Sequence, residues 1–325
     1  MKPALYGDRK RWGIVAADAL ELLGQLPTAS VDVVITDPPY GIGFDAQAWD
    51  SGRLTNGRAF ERWTTTWATE LARVLKPGGY LAAFGAPRTM HRLASGIEDA
   101  GLTIRDHLLW LYGTGFGKSP KLPGDRGTNL KPAYEPVVLA RASLDGTTPQ
   151  TFERWGTGVL HIGDTRVRDE LCAGTAIAGV GRWPTNLGLV HAPDCRPQSC
   201  IDGCVAEALN QQAGRPVSRY FYAAKASTAE REAGLEALPT VPTKIFTKGG
   251  TRLRANVHPT VKPLSVMRWL VRLLAPPGGV VLDPFAGSGS TGCAALLEDR
   301  QFVGIEREEQ YVQIARRRLE HWSRP

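Results

Sequence analysis

Asp37-Pro38-Pro39-Tyr40, followed by Gly41, ends a run of β-branched apolar residues that begins at Val31. Two successive prolines forbid that strand from continuing, which leaves a carboxylate and an aromatic ring at its carboxyl end. In open α/β sheets this end is where ligands sit. A carboxylate, a proline-fixed carbonyl and a stackable ring suit an extruded nucleobase. The ring grips the base face while the oxygens accept hydrogen bonds from an exocyclic amino group. For Asp-Pro-Pro alone, a tight turn with a structural aspartate is the plain alternative.

A second constellation lies far along the chain. Val280-Val281-Leu282-Asp283-Pro284-Phe285-Ala286-Gly287-Ser288-Gly289-Ser290-Thr291-Gly292 reads as a strand, a glycine turn and the start of a helix. Glycines let the backbone approach a ligand, and the helix N-terminus offers free N–H groups. Glu306 ends the next strand, about 20 residues on, which suits a carboxylate gripping ribose hydroxyls. The glycine spacing also meets the dinucleotide fingerprint, so a nicotinamide dehydrogenase is a rival. Against it, Asp283 just before the turn would repel pyrophosphate and attract a cationic amino acid moiety. A protein that only binds would not need the acid–proline–proline–tyrosine turn.

Other groups are open to two readings. Asp18 follows a short strand as Asp37 does, so it either shares the crevice or caps the next helix. His191, Cys195, Cys200 and Cys204 could hold a structural tetrahedral zinc, or be reduced cysteines beside a surface histidine. Gly113 to Ser119 resembles a phosphate loop but fails on glycine count, and Pro120 and Pro123 prevent the helix such a loop needs. With Lys118, Lys121, Arg126 and Lys131 it reads as a cationic loop suited to a nucleic-acid backbone.

The elements that must position these groups follow from periodicity. Trp12 to Asp18 and Val33 to Ile35 predict strands around a helix from Ala19 to Leu26. Trp63, Trp67, Leu71 and Leu75 predict an amphipathic helix stopped by Pro77-Gly78-Gly79. Tyr80–Phe84, Leu108–Tyr112 and Glu135–Arg141 read as strands, with a helix through Leu93, Ile97 and Ala100. Leu264 to Leu274 and Tyr311 to Trp322 complete the helical pattern. Alternation of this kind builds a parallel sheet. Between residues 142 and 256 it fades, and Arg182-Trp183, Arg219-Tyr220-Phe221-Tyr222 and Lys244-Ile245-Phe246 mix positive charge with aromatics. That mixture suits phosphate contact and base stacking.

At 325 residues and 42% hydrophobic the chain can bury one large core with room for an insert. A net charge of +7 fits a polyanionic partner without requiring one. No apolar run approaches the roughly 20 residues needed to cross a bilayer, and Met1-Lys2-Pro3 leads into no signal core. A cytoplasmic protein with no membrane partner is expected. Five cysteines, an odd number, argue against a disulfide framework.

Asp37-Pro38-Pro39-Tyr40 together with Asp283-Pro284-Phe285-Ala286-Gly287-Ser288-Gly289 resembles the S-adenosylmethionine-dependent DNA amino-methyltransferases. The catalytic motif precedes the cofactor motif, as in their permuted β-group. The resemblance implies a Rossmann-like, seven-stranded, mostly parallel sheet, circularly permuted. It divides the chain into a catalytic half (1–141), a target-recognition insert (142–256) and a cofactor half (257–325). It implies S-adenosylmethionine held at its methionine end by Asp283, Phe285, Gly287, Ser288 and Gly289, and at its ribose by Glu306. Asp18 would lie near the cofactor's adenine and Asp37 beside its methyl group, with Thr260 and Lys262 closing over the amino acid end. Asp37, Pro38, Pro39 and Tyr40 would carry catalysis on double-stranded DNA. The leading acid favours adenine N6 as target. Cytosine N4 is the alternative, and RNA is a further one. No Pro-Cys pair exists to serve a cytosine-C5 enzyme. A homodimer and a cognate restriction endonuclease stand as candidate partners, with nucleoid DNA as the place of action.

Overall fold

The strands form where β-branched and apolar residues run together. They are β1 (Trp12–Ala16), β2 (Val31–Thr36), β3 (Leu75–Phe84), β4 (Thr103–Leu111), β5 (Tyr134–Arg141), β6 (Leu187–Gly188), β7 (Val241–Ile245), β8 (Gly250–Arg254), β9 (Val280–Asp283) and β10 (Gln301–Glu306). The structure is a computed structural model that describes residues 11–44, 48–111, 126–130, 133–166, 183–188, 207, 210–212, 226–245 and 250–323. One eight-stranded sheet has the order β1-β10-β9-β2-β3-β5-β4-β6, and β7 and β8 form a separate antiparallel pair. In the main sheet only β5 runs antiparallel to its neighbours. The seven expected strands are thus present, with two-residue β6 added at one edge.

The helices are α1 (Ala19–Leu23), α2 (Gly57–Val74), α3 (Met90–Asp99), α4 (Thr148–Trp155), α5 (Ile162–Thr165), α6 (Thr228–Glu232), α7 (Leu264–Leu274), α8 (Ser290–Leu297) and α9 (Glu309–Trp322). α1, α2 and α3 cover one face through Leu23, Phe60, Trp67 and Ile97. α7, α8 and α9 cover the other through Met267, Val271, Ala294, Val312 and Leu319. With both faces covered, β2 is buried at every position, as a central parallel strand must be. Residues 143–165, which the sequence places in the insert, pack back on β3 and α7. Gly78 N donates to Ser143 O (2.9 Å) and His161 N to Leu273 O (2.8 Å).

Two expected boundaries move. α1 stops at Leu23 with Gly24 as its cap. α2 ends at Val74, and Leu75, expected on its apolar face, is extended (φ −63°, ψ 137°) and pairs with Val31 in β3. Pro77 disfavours helical backbone at Lys76, so the chain leaves the helix before reaching the proline.

The two halves of the chain meet between β2 and β9, where Val33 pairs with Val281 and Val34 with Leu282. At the amino end of this seam the buried Asp32 accepts from Val280 N (2.7 Å) and pairs with Lys76 (2.5 Å). Asp32→Ala would leave the Val280 N–H and the Lys76 ammonium without their acceptor. It should cost about 2–3 kcal/mol, below the 3–5 of a fully buried pair because Lys76 reaches water. Urea unfolding of the variant measures this, and an unchanged midpoint would mean that the seam does not depend on Asp32.

Candidate active site

The carboxyl ends of β2, β9, β10 and β1 open into one cavity of about 1140 Å³. Single-ligand pockets span about 300–1,000 Å³, so this one has room for two ligands side by side. Its wall includes Asp18, Asp37, Pro38, Pro39, Tyr40, Thr260, Lys262, Asp283, Phe285, Gly287, Ser288 and Glu306. The two motifs seen in the sequence therefore share a pocket. Gly289 is not on the wall. It caps α8 with φ 77°, and a Cβ there would lie 3.0 Å from Ala315 Cβ.

At the β9 end, Asp283 is buried. Its carboxylate accepts from Thr36 Oγ1 (2.7 Å), Thr291 Oγ1 (2.6 Å) and Phe285 N (3.1 Å). The Thr36 bond ties the two motif strands together at their tips. Burial pushes Asp283 up to about 7, against the pull of Thr291, Thr36 and the Phe285 N–H. The Phe285 ring packs on Trp63 (5.6 Å between centroids) and Trp67 (5.8 Å), continuing the aromatic face of α2 into the cavity wall. Gly287 has φ 51°, and a Cβ there would lie 2.7 Å from His258 Nε2, so this turn accepts only glycine without displacement. Glu306 accepts from Gly287 N (2.8 Å) and Glu308 N (2.8 Å), which fixes it beneath the turn. The fully buried Arg318 of α9 donates to Ser288 O (2.7 Å), Ser288 Oγ (3.1 Å) and Ser290 Oγ (3.2 Å), holding the turn from behind.

The His258–Pro263 segment crosses the cavity under tight restraint. Leu264 N donates to Glu230 Oε1 (2.6 Å), and Ala255 N and Asn256 N donate to Glu232 Oε2 (2.9 and 3.2 Å). Asn256 Nδ2 donates to Arg231 O (2.8 Å), and Arg231 Nη2 to His258 O (3.0 Å). α6 thus clamps the segment. Burial, together with the charges of Lys262, Arg231 and Arg318, lowers His258 to about 3, so it is neutral at physiological pH.

At the β2 end Lys262 meets the acid of the first motif. Lys262, a candidate for the cofactor's amino acid end, forms a close ion pair with Asp37 Oδ2. Its Nζ also lies 3.3 Å from Glu135 Oε2 and donates to Tyr40 Oη at 3.3 Å. The Tyr40 hydroxyl reaches Asp37 Oδ1 (2.8 Å) and Glu135 Oε2 (3.0 Å). Burial raises Asp37, and Glu135 adds to the rise against the opposing charge of Lys262. Burial alone would lower Lys262, but the two carboxylates more than offset it and keep the ammonium charged.

Glu135 and Asp50 escaped the sequence reading. Glu135 is the second residue of β5, whose antiparallel course brings that end beside the carboxyl ends of the other strands. Asp50 is buried and accepts from Gly41 N (2.6 Å), Ile42 N (3.3 Å) and Phe44 N (2.8 Å), shaping the loop after Tyr40. Asp18 lines the cavity and also caps α1, accepting from Leu20 N at 2.9 Å. Both readings of it therefore apply. The candidate zinc residues His191, Cys195, Cys200 and Cys204 lie outside the described residues, as do Lys118, Lys121 and Lys131 of the cationic loop. No group of metal-ligand type is present among the described residues. No helix among them is long and apolar enough to cross a membrane.

Comparison with known proteins agrees with this geometry. The family of N6/N4 methyltransferases, described as DNA methylase, matches residues 31–317. The chain belongs to that family and is a DNA methyltransferase. It is 25% identical over 332 residues to the DNA adenine methyltransferase YhdJ of Escherichia coli (strain K12), across 99% of this chain and 88% of the relative. It is 23% identical over 357 residues to the type II methyltransferase M.HindIII of Haemophilus influenzae, covering 94% of each. In fold it is similar to the cytosine-N4-specific PvuII DNA methyltransferase, with a TM-score of 0.54, 18% identity and coverage of 95% of this chain and 86% of that one.

Asp283 and His258 make opposite contributions to stability. Raised from 3.8 to about 7, Asp283 contributes stability that is full at low pH and lost as pH rises through about 7. Lowered from 6.5 to about 3, His258 contributes stability that is present above 6.5 and lost as pH falls toward 3. Comparison of Asp283→Asn with the parent cancels the histidine. The parent's stability relative to the variant should fall by about 1 kcal/mol from pH 6 to pH 8, as urea unfolding can measure. A constant difference would mean that Asp283 keeps an ordinary acidity.

Proposed function

We propose that this methyltransferase uses S-adenosylmethionine to methylate the exocyclic amino group of a flipped base in double-stranded DNA, adenine N6 in the first instance. What carries the reading is the side-by-side placement of the Asp37 and Asp283 strand tips in one cavity large enough for a base and a cofactor. The leading acid of the Asp37-Pro38-Pro39-Tyr40 turn and the adenine specificity of the relative YhdJ favour adenine. Cytosine N4 is the second reading, since the PvuII enzyme shares the fold.

The cavity fits the cofactor by its chemistry. His258 Nδ1 is a buried polar atom with no partner among the described residues, and Gly287 lines the cavity beside it. Asp283 would face the cationic methionine end, with a spare lone pair on the Oδ2 that accepts only from Thr291, and Glu306 the ribose. Phe285, Ser288 and Thr260 complete the wall, with Asp18 toward the cofactor's adenine. When bound, S-adenosylmethionine supplies an electrophilic methyl group on a sulfonium centre.

The chain's own residues prepare the nucleophile. An aromatic amine is weak because its lone pair is delocalised into the ring. Asp37 and the Pro38 carbonyl, accepting both N–H groups, favour a pyramidal nitrogen with its lone pair free. Tyr40 stacks on the base for about 1–3 kcal/mol, and the proline pair keeps the acceptors from moving as charge develops. Alignment within one cavity supplies much of the rate, since effective molarities reach about 10⁵ M or more. Within residues 142–256, the part beyond the packed segment 143–165 serves as the target-recognition region.

Labelled S-adenosylmethionine and unmethylated plasmid DNA, followed by mass spectrometry of the nucleosides, test the reading. N6-methyladenine supports it, N4-methylcytosine selects the second reading, and hydride transfer without methyl incorporation would favour a dehydrogenase. Asp37→Ala should lower methyl transfer by about 10²–10³-fold or more while S-adenosylmethionine affinity by calorimetry changes little. Retained turnover would remove Asp37 from this role.

A further inference from the structure

The cluster at the tip of β2 holds two carboxylates for one ammonium. Side-chain exposure is 7% for Lys262, 17% for Asp37 and 22% for Glu135, so the three charges interact with little water between them. All three line the cavity with Tyr40. A lysine paired with Asp37 alone would hold the very carboxylate that must accept the amine's N–H. Here the ammonium has a second anion within reach, because Glu135 Oε2 already lies 3.3 Å from Nζ and needs no movement of the lysine stem. The Tyr40 hydroxyl likewise reaches both acids, so it too can leave Asp37 for Glu135.

We propose that Glu135 is a positioning residue for methyl transfer: it takes over Lys262 and the Tyr40 hydroxyl when the target amino group engages Asp37, leaving that carboxylate free as acceptor. This rests on the amino-methyl transfer reading and adds to it a residue outside the acid–proline–proline–tyrosine turn. Glu135 also keeps Asp37 basic, since its negative charge opposes ionisation of its neighbour. The nitrogen that gains a methyl group must release one proton, and a basic Asp37 is the adjacent acceptor. The nitrogen lone pair would form the N–CH3 bond while the methyl–sulfur bond breaks and its electron pair leaves on sulfur; the N–H bond breaks, its electron pair stays on nitrogen, and the proton passes to Asp37 Oδ.

Glu135→Gln keeps the size of the side chain and removes the charge. Its test uses the full chain and a plasmid on which the parent enzyme transfers methyl groups. The expected result is a kcat at least 10-fold lower, with the KM for DNA and the affinity for S-adenosylmethionine within about twofold of the parent. Loss of the neighbouring anion lowers the Asp37 pKa, so the acid limb of the kcat–pH profile should move about one unit toward lower pH. Glu135→Asp, which retains the charge, should recover part of kcat and the parent's acid limb. It stands in should the glutamine variant fail to fold, and a parent-like kcat for it would then overturn the proposal. A glutamine variant with the parent's kcat and acid limb overturns it as well. So does one that loses cofactor affinity and thermal stability along with rate while the limb stays in place, because that is the pattern of a purely structural ion pair. If the parent enzyme transfers no methyl group to any DNA, the reading itself fails and this role falls with it. An active parent with an indifferent variant sinks the role alone.

Discussion

Parallel pairing of β2 with β9 joins segments 247 residues apart at Thr36 and Asp283, and the meeting of the two motifs in the cavity depends on it. Adjacent parallel strands end on the same side of a sheet, so Asp37 and Asp283 become neighbours by topology. The Thr36 hydroxyl on Asp283 records that closeness at atomic scale. Burial of β2 on every side excludes water from the seam, and Asp32 secures its other end. The contact is non-local, so the site forms only once the sheet has assembled. Local structure at either motif alone cannot create it.

The cavity accumulates charge that would be costly if it were unpaired. Three solutions appear side by side. Asp37 and Glu135 share one lysine, Asp283 is surrounded by hydroxyl and amide donors, and His258 stays neutral. Each leaves capacity for a ligand: a carboxylate lone pair, an acid balanced near neutrality, an unused ring nitrogen. Around them the uncharged framework is rigid. α6 clamps the His258 segment, Asp50 gathers three amides after Tyr40, and Trp63 and Trp67 back Phe285.

The sequence disclosed those parts of the site whose chemistry sits at the end of a recognisable strand. Asp37 and its prolines, Asp283 with its glycine turn, and Glu306 all follow apolar runs, and all three acids line the cavity. What it concealed depended on direction or partnership. Glu135 stands at the beginning of a strand, where a parallel sheet would carry it away from the ligand. Only the reversed course of β5 returns it, and strand direction is not written in local composition. Asp50 lies in a polar loop with no periodic signal, and its role is visible only through the amides it gathers. Lys262 was recognised as a pocket residue, but its partner is the acid of the other motif. Gly289 obeys the glycine pattern and also lies close against Ala315, a contact that spacing alone does not disclose.

Arg318 carries a different implication. Its guanidinium reaches out of the final helix to grip the backbone and hydroxyls of Ser288 and Ser290. Local opening of α9 would release the support behind the turn. Occupancy of the pocket and any local opening of α9 would then be competing equilibria. Apparent affinity is scaled by the fraction of molecules in which that helix is docked. Amide exchange along α9 becomes a remote gauge of whether the pocket is filled.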